Sequence, residues 1–290
     1  MQEQEEKPTI HKGLKKGLYL LPTSFTAANI AMGFFAVLSS LRGFQIVVTD
    51  PSKATQYFDY AAIAIGFAIV FDTLDGRLAR MTKTATEIGV QLDSLADVLT
   101  FGIAPVVLAY CWGVGAVFPE KSSFHGIGVL VLFMYLICGA FRLARFNLQA
   151  TRPRVLIEGT PKIDKKQFVG LPIPLAAGLI ASIVHFTPAS LITHGEAFGR
   201  FYGFMVMILL GILGLLMVST IRYTSFKEFG MGRQKLYMIL LVAAFGMLLW
   251  LYSQYLLLFI TVVYVSHGII FYFAGLLNFK GKQEVFEVAD

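Results

Sequence analysis

The sequence predicts an all-α, polytopic membrane bundle of about eight transmembrane helices with both termini cytoplasmic. Three observations predict it. Of the 290 residues, 56% are hydrophobic and only 14% charged, whereas a soluble domain carries about 25% charged residues; mean hydropathy is +0.69. The apolar residues gather in blocks as long as the roughly 20 helical residues that cross a hydrocarbon core. Of 24 Lys and Arg, 20 fall on one side of the implied topology and 4 on the other, the asymmetry of the positive-inside rule.

The spans are expected at about residues 18–41, 58–78, 98–118, 126–148, 171–188, 202–221, 236–252 and 255–277. The last two are nearly continuous. One helix over both would run about 63 Å, twice the hydrocarbon thickness, so a tight hairpin is expected at Ser253 and Gln254. Residues 1–17, "MQEQEEKPTIHKGLKKG", turn from acidic to basic without an apolar core. They are expected to be a cytoplasmic segment on the membrane surface and not a cleaved signal. The longest polar connection, 149–167, leads into "FVGLPIP" (168–174), where Pro172 and Pro174 restrict the backbone entering span five. Residues 200–277 are almost purely apolar, which suits scaffold, lipid contact or a subunit interface. Residues 278–290 form a cytoplasmic tail. The basic residues serve as topology signals and contacts to anionic lipid head groups, and require no nucleic acid. Cys111 and Cys138 offer neither a disulfide framework nor metal-ligand spacing, and His125, His185, His194 and His267 are scattered singly as structural residues.

The polar chemistry is concentrated in "FDTLDGRLARMTKTATEIGVQLDSLAD", residues 71–97. On a helix Asp72 and Asp75 are three apart and share a stripe with Gly76, Ala79 and Arg80. Gly89, Asp93 and Asp97 are each four apart and make a second stripe. An antiparallel pair of such helices can point four carboxylates into one space at the cytoplasmic boundary. Ordinary interfacial aspartates paired with Arg77, Arg80 and Lys83 would account for one or two of them. Four on matched faces repel one another, and a lone charge at bilayer centre costs about 3 kcal/mol, less near the interface. Bound divalent cations remove that objection. Ligands that are all oxygen favour Mg²⁺, Mn²⁺ or Ca²⁺ over zinc, and four carboxylates suit two ions that clamp a phosphoryl group during in-line displacement. The small Gly76, Ala79 and Gly89 leave room for a nucleotide, or else allow close helix packing.

Asp72, Asp75, Gly76, Ala79, Arg80, Gly89, Asp93 and Asp97 match every defined position of D-x2-D-G-x2-A-R-x8-G-x3-D-x3-D. The chain therefore resembles the CDP-alcohol phosphotransferase family. "FDTLDGRLAR", "QLDSLADVLTFGIAP", "FRLARFN" (141–147) and "FVGLPIP" are most similar to its integral-membrane phosphatidylserine synthase branch. "LPTSFTAAN" supplies Leu21, Pro22, Thr26 and Asn29 of the first-span pattern, with Thr23 where Asn is common. The resemblance implies transfer of a phosphatidyl group from CDP-diacylglycerol to L-serine, releasing CMP, at the cytoplasmic face of an integral multi-pass membrane protein (the inner membrane in a bacterium). It implies divalent metal, Mg²⁺ or Mn²⁺, held by Asp72, Asp75, Asp93 and Asp97, and the four carboxylates suit two ions. Asp97 is also placed as general base, and Asp72, Gly76, Ala79, Arg80, Thr26 and Asn29 lie against the CDP moiety. It further implies catalytic helices over 18–188, additional helices over 189–277, and a homodimer.

Arg142, Arg145 and Asn147 end span four. The arginines are either snorkelling topology signals or a fork for the serine carboxylate or lipid phosphate. The same chemistry with glycerol 3-phosphate, inositol or choline as acceptor is the nearest alternative. An ion transporter using the four aspartates is the alternative from another class, but such sites favour the midplane and inverted repeats, and the chain shows no repeat.

Overall fold

The computed structural model describes residues 12–82, 87–151, 167–224 and 246–271, with side chains for 23–78, 81, 88–148, 170–221 and 246–271. Its helices are α1 (Lys12–Ile46), α2 (Pro51–Thr82), α3 (Ile88–Val117), α4 (Ser123–Thr151), α5 (Ile173–Phe186), α6 (Glu196–Val218) and α7 (Gly246–Phe271). Six of the seven are long and apolar enough to cross a membrane, which makes the chain an integral multi-pass membrane protein.

Small residues let α1 and α2 pack along their length: Ala36 on one, Ala54, Ala61, Ala64 and Ala68 on the other, all fully or nearly fully buried. Membrane helices associate through such close backbone approach because lipid offers no hydrophobic gain for burying larger side chains. α3 is the most enclosed crossing, with 61% of its apolar window buried, and α7 the least, with 11%. Outward-facing Phe, Leu, Ile and Val side chains on α1, α2, α4 and α6 meet the surroundings, as lipid requires.

α3 is not uniform. From Glu87, one residue before the apolar crossing begins, it is α-helical to Asp97 and again over Ala104–Ala109, but it opens into π turns at Val98–Ile103 and Tyr110–Val114. Pro105, which has no N–H to donate, sits directly after the first π turn. The widened turn presses Thr100 against α1. Thr100 Oγ1 donates to the Asn29 carbonyl at 3.2 Å, and a Cβ on Gly33 would stand 2.5 Å from that hydroxyl oxygen and 2.9 Å from the Thr100 Cα. Because part of that clash is with backbone, Gly33→Ala must push α1 off α3. We expect it to cost about 1–3 kcal/mol, measured as a lowered unfolding midpoint in detergent; an unchanged midpoint would contradict the close approach.

Two expectations about the later spans are corrected. The hairpin at Ser253 and Gln254 is absent, since helix runs unbroken through both. A polar pair does not stop a helix when it has a partner, and Ser253 Oγ lies 2.8 Å from His185 Nε2. The 26 residues of α7 extend about 39 Å, one crossing. The remainder of the expected seventh and eighth spans lies outside the described residues, so seven helices rather than eight are seen among them. The expected fifth span is a 14-residue helix, about 21 Å long and too short for a full crossing. Pro172 and Pro174 set its start, Pro188 follows its end, and it is buried on nearly all sides. The chain is also not purely helical: β1 (Gln167–Val169) and β2 (Arg222–Thr224) pair antiparallel, between helices.

The single histidines do serve structure. His125 Nε2 lies 3.2 Å from the Tyr110 hydroxyl, His267 stacks on Phe271 with ring centroids 4.3 Å apart, and His185 links three helices. Its Nδ1 lies 2.5 Å from Asp59 of α2 while its Nε2 meets Ser253 of α7. One turn along α5, Ser182 Oγ is 2.8 Å from Thr261 Oγ1. These two polar ties hold the otherwise lightly buried α7 against the bundle, as polar groups do between membrane helices. Neither cysteine is in a disulfide.

Candidate active site

The acidic stripes of α2 and α3 face each other. Carboxylate oxygens of Asp72, Asp93 and Asp97 all lie within 4.8 Å of one another. Asp72 and Asp97 are in side-chain contact, which mutual repulsion forbids unless a cation or a proton stands between them. Asp97 Oδ1 is buried with no hydrogen-bond partner. Asp75, one turn beyond Asp72, is 6% exposed and accepts a hydrogen bond from Thr26 Oγ1 of α1. Three of the four expected carboxylates thus share one space, and the fourth stands at its edge, tied to α1.

A divalent cation fits this set. The donors are all oxygen, they lie close enough for one hard ion to touch several, and one buried oxygen lacks a partner. The helices place them without loop geometry, since Asp93 and Asp97 are one turn apart on α3 and Asp72 faces them from α2.

Thr26 and Asn29 are three apart on α1, hence on one face. Asn29 is fully buried, and neither Nδ2 nor Oδ1 of its amide has a partner. A buried amide left with both ends unpaired costs stability, so the position suits a hydrogen-bonding ligand. Gly76 is half-buried beside Asp75, while Gly89 is exposed one turn before Asp93. The side chains of Ala79 and Arg80 lie outside the described residues; their backbone belongs to α2.

The cluster at the end of span four divides by role. Arg142 is 9% exposed, interacts electrostatically with Asp97, and leaves its Nε buried without a partner. Arg145 donates from Nη1 to the Val218 carbonyl at 3.2 Å, at the C-terminal end of α6, where a cation is favoured. It also fills the space above Gly170, whose φ of +81° and neighbours (Met217 O at 2.4 Å and Arg145 Nη2 at 3.0 Å from a built Cβ) admit only glycine. Asn147 Nδ2 donates to Ser94 Oγ at 2.8 Å, and Ser94 Oγ donates to the Val90 carbonyl at 3.0 Å. Asn147 therefore braces the helix turn that carries Asp93 and Asp97. Ser94 escaped the sequence reading because its neighbours carry the charge; its place between two stripe aspartates was the available signal. Asp59 and His185 were readable only as isolated polar residues in apolar surroundings, since their contact spans 126 positions.

The family model for CDP-alcohol phosphatidyltransferase matches residues 19–208, which contain α1 from Tyr19 onward, α2 through α5 and the acidic cluster. The chain belongs to the CDP-alcohol phosphatidyltransferase family. Within it, the chain is similar to the CDP-diacylglycerol–serine O-phosphatidyltransferase of Helicobacter pylori (strain J99), 35% identical over 211 residues that cover 73% of this chain and 74% of the relative. It is similar to the enzyme of the same name from Bacillus subtilis, 28% identical over 72% of this chain and 92% of the relative. It is also similar to an archaetidylserine synthase of Methanothermobacter thermautotrophicus, 34% identical over 56% of each. In this phosphatidyltransferase, α7 lies beyond the matched residues.

Proposed function

We infer that this chain transfers the phosphatidyl group of CDP-diacylglycerol to L-serine, giving phosphatidylserine and CMP. The observation that carries the reading is the convergence of Asp72, Asp93 and Asp97 inside the region matched by the family model. The acceptor is supported by relatives named as serine O-phosphatidyltransferases, and by the buried Arg142, which interacts with Asp97 and suits an acceptor with an acid group.

Asp72, Asp75, Asp93 and Asp97 would hold divalent cations, Mg²⁺ or Mn²⁺, two of them for four carboxylates. When bound, such ions neutralise charge on the diphosphate and on the departing oxygen. Thr26 and Asn29 flank the nucleotide from α1, with Gly76, Ala79 and Arg80 on its α2 side. The hydroxyl oxygen of serine attacks the lipid-bearing phosphorus in line with the bond to CMP. Asp97 takes the hydroxyl proton, as a carboxylate within hydrogen-bond reach can. The new P–O bond forms as the bond to CMP breaks, and CMP leaves with the electron pair. Arg142 pairs with the serine carboxylate, while Arg145 and Asn147 keep α6 and α3 in place around it. The site sits at the cytoplasmic end of the bundle, following the charge asymmetry of the connections. Acyl chains then stay in hydrocarbon while nucleotide and serine arrive from water. The outward apolar faces of α6 and α7 are available to a second copy of the chain.

An acceptor screen tests this. Full-length protein in lipid nanodiscs is given CDP-diacylglycerol and Mn²⁺, with L-serine, glycerol 3-phosphate, inositol or choline in turn. CMP release is expected to depend on serine. Release that depends on another alcohol overturns the acceptor, and absence of release with all four overturns the transferase reading.

A further inference from the structure

The turn between α1 and α2 forms a cleft of about 270 Å³, away from the acidic cluster. Asp72 lies 22 residues beyond Asp50 of this turn, about 33 Å along α2. A hydrocarbon core is about 30 Å thick, so the cleft and the cluster stand at opposite boundaries of the membrane.

Arg42 and Gln45 line the cleft from α1, and Asp50, Lys53 and Tyr57 line it from the start of α2. The turn satisfies its own polar groups. Thr49 Oγ1 donates to the Ile46 carbonyl at 3.1 Å, and Asp50 Oδ1 accepts the Lys53 backbone N–H at 3.0 Å. By contrast, the side chains of Arg42, Gln45, Lys53 and Tyr57 make no hydrogen bond or ion pair among the described residues. Four donors thus face one space without a protein acceptor. Their gathering is also uneven. The charge asymmetry assigns only four Lys and Arg to this side, Arg42, Lys53, Lys121 and Arg200. Arg200 pairs with Glu196 on its own helix, whereas Arg42 and Lys53 share the cleft. Beside it the apolar Leu41 and Val48 are exposed, and so is Tyr60, whose ring packs edge-on against Tyr57 with centroids 6.4 Å apart. Tyrosines at this level suit the water–lipid interface.

We propose that this cleft binds the phosphodiester of a membrane phospholipid in the leaflet opposite the acidic cluster. The Arg42 fork and the Lys53 ammonium donate to the phosphate oxygens, and the Gln45 amide and Tyr57 hydroxyl supply further donors. Two cations against the Asp50 carboxylate leave one positive charge, which matches the single negative charge of a phosphodiester; a dianionic inorganic phosphate is opposed by Asp50. The acyl chains lie along the exposed apolar side chains next to the cleft. A lipid held this way ties together the two helices whose far ends carry Thr26 and Asp72.

The experiment is native mass spectrometry of full-length protein in detergent, titrated with dioleoylphosphatidylglycerol. The wild type is expected to retain one phospholipid more than Arg42→Gln, Lys53→Gln, whose affinity for that lipid falls about 10- to 100-fold, as for lost hydrogen bonds to a charged group. Lys121→Gln, a cation on the same side outside the cleft, is expected to bind as the wild type does. Diolein, which lacks the phosphate, is not retained, and excess inorganic phosphate does not displace the phospholipid. The unfolding midpoint in the same detergent reports that the double variant is folded; if it is not, the two single variants carry the same comparison. Equal affinity in wild type and the cleft variants overturns the proposal. Equal weakening by Lys121→Gln overturns it too, because diffuse surface charge then accounts for the binding. Displacement by inorganic phosphate makes the cleft a site for free anions and overturns the lipid assignment.

Discussion

Asp97→Asn is expected to lower serine-dependent CMP release by about 10²- to 10⁴-fold, the range of a general base, while divalent-ion binding weakens far less. The amide has the shape of the acid and keeps one oxygen for a cation, but it cannot take the serine proton. Asp97 Oδ1 is the carboxylate oxygen that is buried and without a partner, so it is the atom that such a proton would reach. Asp72→Asn and Asp93→Asn remove charge from the same cluster without removing the base, and are expected to abolish ion binding and turnover together. Asp75→Asn should also weaken ion dependence, with an added loss of stability because Thr26 leans on that carboxylate. Turnover at the wild-type rate in Asp97→Asn would remove the base assignment. Equal loss of ion binding in all four variants would make Asp97 a ligand and nothing more.

Arg142→Ala and Arg145→Ala should differ although the residues are one helix turn apart. Arg142 lies beside Asp97 and carries an unpaired buried Nε, so its loss is expected to lower kcat/KM for serine by about 10²-fold or more, as for a desolvated charge pair, mostly through KM. Arg145 caps α6 at Val218 and stands over Gly170. Its loss is expected to cost about 1–3 kcal/mol of stability with little change in the KM for serine. Steady-state kinetics beside thermal unfolding in the same nanodiscs check both. If Arg145→Ala raises the serine KM and Arg142→Ala does not, the two roles are reversed.

The acidic centre was legible because helical spacing alone determines which side chains share a stripe. Asp72 and, one turn apart, Asp93 and Asp97 have no freedom to point elsewhere once α2 and α3 are antiparallel. Asp75 shows the limit of that argument. Three residues from Asp72 on a helix of 3.6 per turn, it is rotated about 60° from it, which is enough for Thr26 of α1 to claim it. Hydropathy located the crossings but misjudged two boundaries for opposite reasons. Around Ser253 the local polarity suggested a break, and a distant histidine supplied the partner that keeps the helix continuous. Around Ile173–Phe186 the local apolarity suggested a full span, and three prolines confined it to a short core helix. The π turns beside Asp97 were hidden for another reason: Pro105 announces a disturbed hydrogen-bond ladder in its own helix, but not that the turn before it widens.

Mn²⁺ binding to the acidic cluster tests the central claim most directly. Electron paramagnetic resonance of full-length protein in nanodiscs, titrated with Mn²⁺ in the absence of any acceptor, reads bound ion independently of turnover. The account predicts saturable, stoichiometric binding in the wild type that disappears in the Asp72→Asn, Asp93→Asn double variant while the protein remains folded. Binding of equal affinity and number in that double variant would contradict it, because the carboxylates that α2 and α3 bring together would then have no cation to hold.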